Sequence, residues 1–77
     1  EGVFSGMKFV LTGELEGLVR SEAKKLIEEE GGEVMSSVTK NTDIVVAGEN
    51  AGAKLEKALK LNVEIWDKAR LIKELKK

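Results

Sequence analysis

The 77-residue chain contains no cysteine, no histidine and no proline. Without the first two there is no thiolate–imidazole zinc site, no thiol nucleophile, no imidazole base and no disulfide. A chain this short forms one small domain, so its stability has to come from packing or from a larger parent. The absence of Cys suits a cytoplasmic setting. Long apolar runs are also missing. Ile44-Val45-Val46-Ala47 is the longest, against about 20 residues for a membrane span. The first residues carry neither a basic nor an apolar stretch of the kind that opens a signal peptide. An excess of one charge is lacking too. Thirteen Lys and Arg face 14 Asp and Glu, for a net charge of −1, which excludes a uniformly basic nucleic-acid-binding surface but not a local cationic pocket. The chain begins at Glu1 without Met and ends in Lys76-Lys77, and is expected to be a single domain, residues 1–77, from a longer protein.

What is present is an alternation of short apolar strands and amphipathic helices, without internal repeats. Met7–Thr12 reads as a strand. Arg20–Glu30 places Ala23, Leu26 and Ile27 at helical spacing, and Gly31-Gly32 supplies a left-handed stop. Glu33–Ser36 is a short strand, and Asp43–Ala47 suits a strand buried on both faces. Ala53–Leu61 is a second helix with Leu55, Ala58 and Leu59 on one face, ended by Asn62 in the left-handed conformation. Val63–Trp66 is a fourth strand. Asp67 caps a last helix whose buried face is Leu71, Ile72 and Leu75. The order β-α-β-β-α-β-α implies a parallel α/β sheet covered by helices. Ligands of such sheets sit at the carboxyl ends of the strands, which points to the loops after the first and third strands.

The first of these loops holds Thr12-Gly13, a hydroxyl beside a backbone N–H that a phosphate can approach closely. Arg20 and Lys54 stand at the starts of the first and second helices, where the helix dipoles add positive charge. Thr12, Gly13, Arg20 and Lys54 could thus converge on one phosphate. The plainer reading is a strand end, a turn and two solvated cations. Glu14 and Glu16 read as solvated loop charges that oppose an anion unless they point away. Gly48–Gly52 lacks the spacing and the Lys-Ser/Thr of a nucleotide-binding loop. Trp66 reads as core. Lys68, Arg70, Lys73, Lys76 and Lys77 make the last helix basic and offer a second phosphate contact. No set of nucleophile, base and oxyanion donor assembles, so no catalysis is expected of this chain alone.

The segments Phe4-Ser5-Gly6, Phe9–Gly13, Arg20–Lys24, Gly31–Val34 and above all Ser37–Lys54 resemble a BRCT domain. The resemblance runs from about Val3 to Leu75. It is strongest to the C-terminal BRCT domain of bacterial NAD-dependent DNA ligases, and it extends to that of the large subunit of the eukaryotic clamp loader. It implies a four-stranded parallel sheet in order 2-1-3-4 flanked by three helices, the first and third on one face and the second on the other. It implies phosphate binding, in phosphopeptides or at DNA ends, with Thr12, Gly13, Arg20 and Lys54 matching the clamp-loader relative's pocket. NAD and zinc would then belong to other domains of the parent ligase, leaving this domain without a cofactor. The family often has Thr where Val19 stands, which with Glu22 would form a capping box. Its common Trp in the last helix is absent near Arg70, which counts against half of a tandem phosphopeptide receptor.

Two functions follow. One is a monomeric module that binds nicked or 5′-phosphorylated DNA in replication and repair. The other is a protein-interaction module docking to other ligase domains or a repair partner, through an apolar surface patch around Val3, Phe4 and Trp66.

Overall fold

A computed structural model describes residues 2–15 and 17–75. Glu16, Lys76 and Lys77, considered above as loop and terminal charges, lie outside the described residues. The elements are β1 (Lys8–Thr12), α1 (Arg20–Glu29), β2 (Glu33–Met35), β3 (Ile44–Ala47), α2 (Ala53–Lys60), β4 (Glu64–Trp66) and α3 (Lys68–Leu75). The four strands form one parallel sheet in the order β2-β1-β3-β4. The architecture expected from the sequence is the one observed, with boundaries moved by a residue or so.

The central pair explains the apolar runs. Phe9, Val10, Leu11 and Thr12 of β1 stand opposite Ile44, Val45, Val46 and Ala47 of β3. Phe9, Leu11, Ile44 and Val46 face one side and pack with Ala23 and Ile27 of α1 and Leu71 of α3. Val10 and Val45 face the other side, where Ala58 of α2 and Val38 cover them. Both strands are buried on both faces, so neither shows polar alternation.

The helix ends are set by local chemistry. Gly31 takes φ 87°, its N–H donates to Glu28 O (3.0 Å) and the Gly32 N–H to Ile27 O (2.9 Å), which closes α1. Asn62 does the same for α2 at φ 58°, with the Val63 N–H donating to Ala58 O. The Asp67 carboxylate accepts the Arg70 N–H at 2.7 Å and caps α3.

Two expectations are corrected. Leu59 is 61% exposed, because α2 meets the sheet through the small side chain of Ala58 and turns Leu59 to solvent. The apolar surface patch around Val3, Phe4 and Trp66 does not exist. Phe4 and Trp66 are buried and, with Phe9, form an aromatic cluster with ring centroids 4.7–5.9 Å apart. Only Val3 of the three is exposed.

Candidate phosphate-binding cleft

The chain reverses its direction of travel across the sheet between β1 and β3. After β1 it crosses to β2, and after β3 it crosses to β4. The loops after these two strands therefore part company at the carboxyl edge, where such sheets hold ligands. Here the two loops are locked together. The Glu14 N–H donates to Glu49 O and the Glu49 N–H to Glu14 O, both at 2.9 Å. Glycine permits this approach. A Cβ on Gly48 would lie 2.2 Å from Glu14 O, and one on Gly13, at φ 76°, 2.5 Å from Glu49 O.

A cleft of about 240 Å³ opens beside this junction. Arg20, Lys24 and Lys54 line it, with Leu11, Val34 and Met35 as its apolar walls and Ser36 at its edge. No carboxylate lines it among the described residues. Its volume is below the roughly 300–1,000 Å³ of clefts that hold drug-sized ligands.

The elements that carry the cations explain their convergence. Arg20 is the first residue of α1 and Lys54 the second of α2. Lys24 follows Arg20 by four residues and so shares its helix face. Val19 and Gly52 stand at the N-cap positions of these helices, and neither supplies a side-chain hydrogen bond to the cap. Apart from the Glu22 and Leu55 N–H groups, which donate to the carbonyls of Val19 and Gly52, the first-turn N–H groups of both helices meet no capping oxygen among the described residues.

The four residues singled out in the sequence fall into different places. Arg20 and Lys54 share the cationic cleft. Gly13 lines a larger neighbouring cleft that also includes Arg20. Thr12 is buried at 4% exposure, and its hydroxyl donates to Ala51 O at 2.8 Å. Turning that proton toward an anion would break this bond. Lys24 and Ser36 were not singled out, although the four-residue step from Arg20 to Lys24 was a usable signal. Arg70 lies away from the cleft. Its guanidinium stands 5.0 Å over the Trp66 ring and pairs with Glu74 at 2.9 Å. No described group of His, Cys, Asp or Glu could hold a metal ion, and no described helix is long and apolar enough to cross a membrane.

A four-stranded parallel sheet in this order, with two helices on one face and one on the other, defines a class of small α/β domain. The sequence profile of the BRCA1 C Terminus (BRCT) domain matches residues 1–73. The chain belongs to the BRCT family. It is 57% identical over 72 residues, 94% of its length, to a DNA ligase of Anoxybacillus flavithermus, and 54% identical over all 77 residues to a DNA ligase of Bacillus subtilis. It spans only 11–12% of these relatives. In structure it is similar to Rad4 BRCT1,2 in complex with a Crb2 phosphopeptide, with TM-score 0.79 and 21% identity over 95% of this chain and 41% of that one. The Rad4 complex with a Mdb1 phosphopeptide gives TM-score 0.80 and 20% identity over 97% and 42%. At that identity the likeness concerns the fold.

Proposed function

We propose that this BRCT domain is the non-catalytic, DNA-binding module of a bacterial NAD-dependent DNA ligase, and that its cationic cleft takes the phosphate at a nick or 5′ end. The observation that carries the reading is the segregation of charge. In a chain of net charge −1, Arg20, Lys24 and Lys54 share one cleft, and among the described residues no carboxylate lines it and no side chain caps the two helix N-termini beside it. Such an arrangement favours an anion with several acceptor oxygens. The ligase relatives make a DNA phosphate the fitting anion.

In this reading Arg20 and Lys54 supply the charge-assisted hydrogen bonds, and Lys24 adds a third cation. Gly13 lets the Glu49 loop close against the end of β1 and so holds the shape of the edge beside the cleft. Thr12 acts through Ala51, by holding the loop that leads into α2 and so the position of Lys54. Adenylation and nick sealing belong to the rest of the ligase, along with its NAD and zinc. The domain works as a monomer in the cytoplasm and supports sealing in replication and repair by helping to hold the nicked duplex.

The test is binding of nicked, 5′-phosphorylated duplex across a salt series. Lys54→Ala should weaken binding equally for different sequences and reduce the slope of log K against log salt by about one. An unchanged affinity and slope would remove Lys54 from the site.

A further inference from the structure

The larger cleft next to the cationic one shares Leu11 and Arg20 with it. Past Arg20 the charge changes sign. Glu14 and Glu49 line this neighbouring cleft, with Gly13, Leu15 and Leu18 among its other walls. The reciprocal backbone hydrogen bonds between Glu14 and Glu49 fix the two residues side by side. Both side chains are exposed, and neither has a hydrogen-bond or ion-pair partner among the described residues. On the α3 side of the junction, Asp67 and Lys68 line a third cleft with them and contribute one charge of each sign. Among the described residues lining that cleft, the two glutamates are left in excess.

We infer that Glu14 and Glu49 are specificity determinants that reject an uninterrupted phosphodiester backbone and so select a terminal phosphate. The inference rests on the phosphate reading of the cationic cleft and deepens it. A continuous strand crossing this edge carries a phosphate about every 3.4 Å along its axis. A strand continued from a phosphate at Arg20, Lys24 and Lys54 past Arg20 enters the adjoining cleft that Glu14 and Glu49 line. A terminal phosphate carries its chain on one side only. It can occupy the cationic cleft with the polynucleotide leaving away from the glutamates. It also carries more charge than a diester, roughly −1.5 to −2 at neutral pH for a phosphate monoester, so it gains more from the three cations. The acidic pair therefore sets both the class of phosphate accepted and the side from which the strand departs.

The experiment compares three duplexes of one sequence: unbroken, nicked with a 5′-hydroxyl, and nicked with a 5′-phosphate. The 77-residue domain is measured against a Glu14→Gln/Glu49→Gln variant at about 0.15 M salt, where the Debye length is about 8 Å. A Glu29→Gln/Glu30→Gln variant makes the same charge change at the C-terminal end of α1, more than a turn past Lys24. Selectivity is the ratio of affinity for the 5′-phosphorylated nick to that for unbroken duplex. It should fall about 3- to 10-fold in the first variant, through tighter binding of unbroken DNA, and less than about 2-fold in the second, because Glu29 and Glu30 line neither cleft and lie beyond a Debye length from Arg20 along α1. An equal change in both variants, or none in the first, would overturn the inference while leaving the phosphate cleft standing. A native domain that does not distinguish 5′-phosphate from 5′-hydroxyl would instead overturn the cleft reading, and this inference with it.

Discussion

The hydroxyl of Thr12 donates to the carbonyl oxygen of Ala51 at 2.8 Å, tying the end of β1 to the loop that enters α2. Thr12 is buried, so this bond is made out of water. It couples the strand that builds the floor of the edge to the helix that carries Lys54. Replacing Thr12 by Val keeps the shape and removes the donor, leaving the Ala51 carbonyl without its partner. Urea unfolding should show a loss of about 1–3 kcal/mol with an unchanged m-value.

The uncapped start of α1 gives a prediction of opposite sign. Val19 occupies the N-cap with extended geometry, φ −71° and ψ 145°, and Glu22 stands three residues later. Val19→Thr would let the hydroxyl share the Glu22 N–H, which now donates only to the Val19 carbonyl, and let the Glu22 carboxylate reach back to the N–H of residue 19 in a capping box. The domain should gain about 0.5–1 kcal/mol, read as a rise in thermal midpoint of a few degrees.

The junction of the two loops is sterically exacting. At Gly48 a methyl group would run into the backbone of Glu14, and neither partner is the end of a flexible side chain. Gly48→Ala should cost about 2 kcal/mol or more in chemical unfolding, and it should broaden or shift the amide resonances of Glu14 and Glu49.

Burial separates two leucines that the helical spacing treats alike. Leu71 is fully buried under the sheet, and Leu59 is 61% exposed. Leu71→Ala should lose about 2–5 kcal/mol through lost contacts and a cavity. Leu59→Gln should stay within about 0.5 kcal/mol of the native protein in the same assay.

Much of this architecture could be read from the residues. The double-sided burial of β1 and β3 shows in Phe9-Val10-Leu11 and Ile44-Val45-Val46, and the helix ends show in Gly31 and Asn62. Arg20 and Lys54 could be placed at helix starts, and the helix starts at the carboxyl edge. What depended on three dimensions was less accessible. A hydrophobic face marks a helix but not the width of its contact, so the exposure of Leu59 beside Ala58 was hidden. The aromatic cluster of Phe4, Phe9 and Trp66 joins residues far apart in the chain, and no local pattern announces it. The backbone exchange between Glu14 and Glu49, and the commitment of the Thr12 hydroxyl to Ala51, likewise arise only when two distant loops meet.

The most direct test of the account is an NMR titration of the domain with nicked or recessed duplex, with and without the 5′-phosphate, at low and moderate salt. The account predicts phosphate-dependent shifts clustered at Gly13, Arg20, Lys24 and Lys54, with Thr12 following through its bond to Ala51. Shifts that ignore the 5′-phosphate, or that leave these residues silent, would contradict it.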